Sequence, residues 1–438
     1  MDTEAMDPSR AFTKLVCREP YIGVVPPLRV ADVSELLPPP MVRAPPPDDD
    51  FAKIGRAVAA AKTRLDAIPP PEFEPLMRAV DLYAGLKRTL RTEYGMRIST
   101  NASLKMYEIL GVMELIETGP EPVRAFCDAE LPGAFICAIN HYVRTLRPRK
   151  PLDWIASSYF PAAAAASGDP TILDDYYGLY AANRGRWLMG PPPNAMPEGA
   201  PPVSGDLTDA AVVEALAAAV HARLGGATLY TSDAGIGVSE DYNRQEELTA
   251  LLNYGQVLCG ILSLAPGGHL VTKQYTFVTP FSRGLIALLA ALFDEVSVVK
   301  PVTSRPANSE VYIVGKGFRG VDPDLARALL ARLAEYRIAA NTSPADWSPL
   351  IDPELTAGVD SALLRAARHI HGGMQVNFLN EAANLYGTWR GRLDRLARSL
   401  ATDASAVQKA WLSANPVRRI PAEHQLASAD PSAGHRRR

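Results

Sequence analysis

The 438-residue chain is 47% hydrophobic, enough for one large domain with appendages or for two domains around a sizeable core. A formal net charge of −3 excludes a protein held on nucleic acid by bulk charge, so any RNA contact must come from local basic patches. The longest apolar runs, such as GLIALLAALF, are too short to span a bilayer and no basic segment leading into an apolar one opens the chain, so a soluble, intracellular protein with no membrane partner is expected.

Residues 1–50 carry proline runs (PP, LPPPM, APPPDDD) that cannot enter helix or sheet interiors, and are expected to be largely extended or disordered. Helical spacing begins at FAKIGRAVAAAKTRLDAI and continues in PLMRAVDLYAGLKRTLRTEYG, a helical N-terminal extension over 51–94. Over 95–320 short apolar strands alternate with helical patterns. The expected strands are VRAFCDAE, LDWIASSYF, GRWLMG, ATLYTSDAG, GGHLVTKQYTF, DEVSVVK and EVYIVGKG. The strongest helix, within NRQEELTALLNYGQVLCGILSLA, is expected to line one face with Leu248, Leu251, Leu252, Leu258, Ile261 and Leu262.

This alternation predicts an α/β fold with a mostly parallel sheet and helices on both faces, and the short link between the last two strands makes that pair antiparallel. PPPNAMPEGAPPV, at 191–203, reads as a surface loop. Residues 321–425 read as a helical C-terminal region and 426–438 as a disordered tail. Cys17, Cys127, Cys137 and Cys259 lack metal-ligand spacing and read as small core residues in a reducing compartment. The histidines of HIHGG, at 369–373, likewise have no further ligand spacing around them and read as surface or core.

Open α/β sheets bind ligands at the carboxyl ends of their strands, which directs attention to the residues there. VRAFCDAE runs into DAELPGAF, where Asp128 and Glu130 offer acceptors and Gly133 would let a ligand approach the backbone. ATLYTSDAG ends on Asp233, GGHLVTKQYTF buries Lys273 in an apolar run, and the last strand starts at Glu310. Each has an ordinary alternative: Lys273 snorkelling to solvent, Asp233 capping a helix, Glu310 paired with Arg305, Lys105 on a helix surface. Their placement on adjacent strand ends aims a carboxylate, an amine and a second carboxylate at one cleft.

NASLKMYEIL, DAELPGAFICAINHY, TSDAGIGVS, PGGHLVTKQYTF and PFSRGLIALLAALFDEVSVVKPVTSRPANSEVYIVGKGF resemble the successive motifs of the cap-specific mRNA ribose 2′-O-methyltransferases, within the wider RrmJ-like (FtsJ-like) RNA methyltransferases. The resemblance covers about 95–320 and is most specific over 280–318. It implies a class I methyltransferase, Rossmann-like fold with a seven-stranded sheet whose last strand is antiparallel. It also implies a Lys-Asp-Lys-Glu catalytic set at Lys105, Asp233, Lys273 and Glu310, with S-adenosylmethionine as cofactor and no metal. The cofactor would lie at Leu131, Pro132, Gly133, Ala134 and Phe135, the PGAF variant seen in the branch that modifies the second transcribed nucleotide, with Asp206 of SGDLTD facing its adenine end. Asp153 and Trp154 are candidates for the cofactor ribose.

On this reading Lys273 is the candidate base toward a ribose 2′-hydroxyl, its resting protonation left open, and Lys105 holds the ribose or its phosphate. Lys300, Ser304, Arg305, Asn308 and Ser309, in KPVTSRPANSEVY, would grip RNA phosphates and riboses. An internal ion pair is the alternative for Arg305. The basic stretches at 87–97 and 144–150 could extend the grip, although solvated faces explain them as well. The implied partner is 5′-capped RNA, with capping or transcription machinery as further candidates. Methylation of ribosomal or transfer RNA, or an inactive scaffold, remain as alternatives, and the sequence does not choose among nucleus, cytoplasm and virus factory.

Overall fold

A parallel strand needs a crossover to reach its neighbour, and the chain supplies one between almost every pair of strands. In the computed structural model, which describes residues 12–13, 16, 19–29, 36–37, 49–161, 175–190, 204–236, 244–339, 347 and 350–427, these units assemble into one seven-stranded sheet flanked by helices. The stretch at 191–203, the tail from 428 and Cys17 lie outside the described residues.

The strands are β1 (Tyr21–Val25), β2 (Val123–Asp128), β3 (Leu152–Ala156), β4 (Ala227–Ser232), β5 (Leu264–Gln274), β6 (Phe293–Lys300) and β7 (Val311–Phe318), in the order β1-β6-β7-β5-β4-β2-β3. Pairing is parallel from β3 through β2 and β4 to β5. The last strand, β7, inserts antiparallel between β5 and β6, as expected for a hairpin too short for a crossover.

The seventh strand is a correction. GRWLMG forms isolated bridges rather than a strand, among them a parallel one from Ala156 to Trp187, while the seventh strand comes from the proline-rich N-terminal stretch, where YIGVV pairs antiparallel with β6. Its prolines flank the strand rather than interrupt it: Pro20 precedes β1, and Pro26 and Pro27 follow it.

Ahead of the sheet domain lie α1 (Asp49–Asp66), α2 (Pro70–Ala79) and α3 (Ala84–Thr92). Within it lie α4 (Asn101–Val112), α5 (Ala134–Leu146), α6 (Ala210–Leu224), α7 (Gln245–Ser263) and α8 (Pro280–Leu292). After it come α9 (Pro323–Ile338), α10 (Ala357–Ala367), α11 (Val376–Trp389), α12 (Leu393–Ser399) and α13 (Ala401–Ala414). Strand residues alternate between two cores. Val299, Tyr312 and Val314 face the core formed with α4, α5 and the terminal helices, while Val298, Val311 and Ile313 face the one formed with α6 to α10. Among the described residues no helix is long and apolar enough to cross a membrane.

The buried face of α7 matches the leucine face read from the sequence only in part, with Leu258 and Ile261 shared. Leu248 is 43% exposed and Leu251, Leu252 and Leu262 are half-buried, whereas Ala250, Tyr254, Val257, Leu258 and Ile261 are buried. Gly255 lets α7 approach the backbone ahead of α6, since a Cβ there would lie 1.8 Å from the Leu207 carbonyl oxygen. Gly255→Ala should therefore destabilise the protein by about 1–3 kcal/mol through overpacking, despite alanine's higher helix propensity. Denaturant unfolding that showed the variant equally stable would contradict this packing.

Candidate active site

Helix α4 is set by a capping box in which the Thr100 hydroxyl accepts from the Ser103 N–H at 3.2 Å and the Ser103 hydroxyl accepts from the Thr100 N–H at 2.8 Å. This brings Lys105 across the mouth of the β6–β7 hairpin. Its Nζ donates to both carboxylate oxygens of Glu310, at 2.8 and 3.0 Å, and lies 5.5 Å from the centroid of the Tyr312 ring. The antiparallel register of β5 and β7 sets Lys273 directly opposite Tyr312. Lys273 Nζ donates to the Asp233 carbonyl at 2.9 Å and lies 3.3 Å from Asp233 Oδ1, which also accepts from the Tyr312 hydroxyl at 2.9 Å. Lys105, Asp233, Lys273 and Glu310 thus form two ion pairs with Tyr312 between them. Gly235 leaves room for the arrangement, since a Cβ there would sit 3.0 Å from Lys273 Nζ.

Burial raises the Glu310 carboxyl, but Lys105, Lys273 and Lys300 outweigh it and hold the group at about 2. For Lys273 burial favours the neutral amine, yet Asp233, Tyr275 and Glu310 prevail and push it above the ordinary lysine value. The paired carboxylate of Asp233 thus biases Lys273 toward the ammonium.

The loop from β6 to β7 is held from within. Lys300 is 1% exposed, and its ammonium donates to the carbonyls of Asn308 at 2.8 Å and Glu310 at 2.5 Å. Ser304 donates to Glu310 Oε1 at 3.0 Å, and the Ser309 hydroxyl meets the Gln375 side-chain amide at 3.0 Å. These three side chains stabilise the loop and are not presented to an RNA strand. That corrects the reading of the whole segment as an RNA grip. Only Arg305 and Asn308 of the five are exposed, and Arg305 pairs with Asp81 at 3.6 Å rather than with Glu310.

At the carboxyl ends of β2 and β3 the residues are equally specific. Ala129 holds a left-handed φ of 51°, a conformation costing about 1–2 kcal/mol for a residue with a Cβ, and it turns the chain so that Glu130 reaches forward. Glu130 Oε1 accepts from the N–H groups of Phe135 at 2.8 Å and Ile136 at 3.0 Å, the first turn of α5. Gly133, at φ 105°, begins that helix, and a Cβ there would lie 2.1 Å from Leu179 Cδ2. Leu131 donates its N–H to Ser158 Oγ at 2.7 Å, Pro132 is half-buried, and Ala134 and Phe135 are buried. Burial raises Asp128 to about 6. Burial also raises Glu130, to about 8, with Asp233 and Asp128 adding repulsion.

Asp206 shapes the turn before α6, accepting from Thr208 N–H at 3.0 Å and Thr208 Oγ1 at 2.7 Å, and its other oxygen meets Arg337 of α9 at 3.2 Å. Asp153 pairs with Arg186 at 2.5 Å, and Trp154 is buried against Trp187. Trp154 is thus packed in the core, while the Asp153 pair lies on the exposed surface.

Sequence reasoning missed three residues. Tyr312 could have been noticed as the polar tip in an otherwise apolar strand. Glu108, 1% exposed, accepts from the N–H groups of Val302 at 2.7 Å and Thr303 at 3.3 Å, the Thr303 hydroxyl at 2.8 Å and Trp411 Nε1 at 3.2 Å. It lies three residues after Lys105, so one helix braces both ends of the hairpin loop. Glu246 does similar work after β5, accepting from the Thr276 hydroxyl, Val278 N–H at 3.1 Å and Thr279 N–H at 2.8 Å.

Residues 190–318 match the model of the FtsJ-like methyltransferase family. The chain is 36% identical, over 88% of both chains, to a protein named probable methyltransferase EP424R from African swine fever virus, isolate Warthog/Namibia. It is 31% identical over 56% of its length to a zebrafish (Danio rerio) protein named cap-specific mRNA (nucleoside-2′-O-)-methyltransferase 2, covering 31% of that protein. The mouse (Mus musculus) protein of the same name is 30% identical over 58% of this chain and 32% of its own.

Because the folded-state value of Glu310 lies below the ordinary carboxylate range, the stability it contributes is present above about pH 4.5 and is lost as pH falls toward 2. Glu310→Gln should cost roughly 3–5 kcal/mol at pH 7, the effect of breaking a buried pair, with the difference from wild type shrinking below pH 4.5. A difference that stays constant from pH 7 to pH 2.5 in denaturant unfolding would argue against the ion pair.

Proposed function

Since the chain belongs to the FtsJ-like methyltransferase family, we propose that it transfers a methyl group from S-adenosylmethionine to the ribose 2′-hydroxyl of the first or second transcribed nucleotide of 5′-capped RNA. The single observation carrying this reading is the pairing of Lys105 with Glu310 and of Lys273 with Asp233 around Tyr312. The names of the zebrafish and mouse relatives support the cap-proximal 2′-hydroxyl as acceptor.

The carboxyl edge of β2 and β4 suits a cationic cofactor. Asp128, Glu130 and Asp233 converge there; burial raises the first two toward their neutral forms, with repulsion from Asp233 and Asp128 adding to it at Glu130, a bias that a bound cation would reverse. Asp128, Glu130 and the backbone from Leu131 to Phe135 would hold the cofactor, which when bound supplies an electrophilic methyl group on a positively charged sulfur.

The remaining chemistry belongs to the protein. A 2′-hydroxyl is a weak nucleophile and must lose its proton as it attacks. With the proton on Nζ, Lys273 orients the hydroxyl and offsets negative charge developing on the oxygen. When Nζ is unprotonated it can accept the hydroxyl proton. Asp233 fixes the ammonium from two sides, through its carbonyl and carboxylate. Glu310 holds Lys105 beside the same cleft, ready to face the ribose or its phosphate. Arg305 and Asn308, on the exposed rim of the hairpin loop, are suited to backbone contacts with the RNA.

Labelled methyl transfer to one short RNA in capped and uncapped form, with mapping of the labelled nucleotide, tests this reading. Transfer should require the cap, fall on the first or second ribose, and drop at least about 100-fold in Lys273→Ala. Equal transfer to both RNAs would redirect the reading to another RNA substrate. The rate should also climb with pH as Lys273 loses its proton, and Asp233→Asn, by removing the carboxylate that favours the ammonium, should move that rise to lower pH while lowering its plateau. A rise unmoved by the substitution would exclude Lys273 as the titrating group.

A further inference from the structure

The two histidines of HIHGG lie in a π-helical segment, Arg368–Gln375, between α10 and α11. Such segments are uncommon, and each local widening of the helix is an irregularity that must be compensated by contacts elsewhere. Here the contacts are with the catalytic loop. Gln375 is 1% exposed, and its Nε2 donates to the Ala307 carbonyl at 2.9 Å and to Ser309 Oγ at 3.0 Å. Its Oε1 faces His371 Nδ1 at 3.1 Å. Since the amide nitrogen must point to the Ala307 carbonyl, Oε1 is the acceptor toward His371, and the imidazole carries its proton on Nδ1. His371 is fully buried, and burial pushes it down to about 4, so the ring is neutral and its tautomer set by this bond.

The same histidine touches the other half of the cluster. Its ring packs edge-on against Phe277, with centroids 6.2 Å apart, and Phe277 lies four residues after Lys273. His371 and Gln375 therefore join the segment leaving Lys273 to the residue immediately before Glu310. The other anchors of the hairpin loop do different work: Glu108 holds its first half at Val302 and Thr303, and Lys300 draws in the Asn308 and Glu310 carbonyls from beneath. Gln375 holds the outer side of the second half, where a shift of Ser309 would carry the Glu310 carboxylate away from Lys105.

We infer that Gln375, oriented by His371, is a positioning residue that sets the Glu310 carboxylate against Lys105, so that the C-terminal helical region takes part in ordering the methyl-transfer site. This rests on the reading of Lys105, Asp233, Lys273 and Glu310 as the catalytic cluster. Gln375 touches neither substrate nor cofactor in this scheme; it acts through Ser309 and Ala307.

The test uses the full chain as wild type, Gln375→Met, Ser309→Ala and the double variant. Gln375→Met keeps the length of the side chain and removes its donors. It should lower kcat by about tenfold or more while leaving KM for capped RNA and for S-adenosylmethionine within about twofold, the pattern of a misplaced catalytic group. The double variant should be no slower than Gln375→Met, because that substitution already removes the bond that Ser309→Ala takes away. Amide hydrogen exchange over 301–310 should be faster in Gln375→Met, with the thermal midpoint of the whole protein little changed. An unchanged kcat, single losses that multiply in the double variant, or a kcat loss matched by loss of folded protein would each overturn the inference. Wild type that transfers no methyl group would overturn the catalytic reading and this role together. Faster loop exchange in Gln375→Met would then still uphold the anchor, and unchanged exchange would remove it.

Discussion

Holding two buried lysines against two half-buried carboxylates is the constraint on which the rest of the structure depends. An isolated charge in a low-dielectric interior is so unfavourable that the group would ordinarily neutralise, whereas opposite charges at hydrogen-bonding distance keep one another ionised. Lys105 is held by Glu310 and Lys273 by Asp233, so removing one member leaves its partner's charge exposed to the full desolvation penalty. The pairs come from α4, the residue after β4, the carboxyl end of β5 and the residue before β7. They can meet only if β7 lies beside β5, which the antiparallel insertion of the last strand achieves.

Environment divides the carboxylates of the carboxyl edge into two kinds. Glu310, ringed by three lysines, is held at about 2. Glu130, buried beside Asp128 and Asp233 with backbone N–H groups as its hydrogen-bond donors, is raised to about 8. The same functional group thus stays ionised on one side of the sheet edge and is biased toward neutral on the other, because burial raises both and only Glu310 has lysines beside it to outweigh that burial. Such a separation suits a site that must keep its lysines ordered while leaving unsatisfied negative potential for a cation.

The segments outside the central domain are integrated with it rather than appended. β1 extends the sheet beyond β6, Trp411 of α13 donates to Glu108, and the π-helical turn before α11 reaches the second half of the hairpin loop. Glu108 illustrates the economy of this packing. One buried carboxylate satisfies two backbone donors of the loop, a hydroxyl and an indole, tying α4, the loop and a C-terminal helix at one point. The geometry of Lys105, a single helical turn away, depends on all of them.

The sequence by itself determined the α/β class, the six strands from β2 to β7 and the antiparallel last pair, because apolar periodicity and connection length are local properties. The residue types of the cluster were also legible, since Lys105, Asp233, Lys273 and Glu310 stand in recognisable motifs, and the structure brings all four together. Tertiary structure alone decided which polar groups are partners. Lys105 and Glu310 are 205 residues apart, Gln375 and Ser309 66, and Glu108 and Trp411 303, distances over which no spacing rule operates. It also decided that YIGVV would be a strand, because a short apolar run becomes one only where an edge such as that of β6 offers it hydrogen bonds. Lys300, Ser304 and Ser309 looked like RNA donors from their residue types, yet the fold turns them inward to brace their own loop. Whether a polar side chain serves a ligand or its own backbone depends on the direction it points, and that is settled by packing rather than by composition.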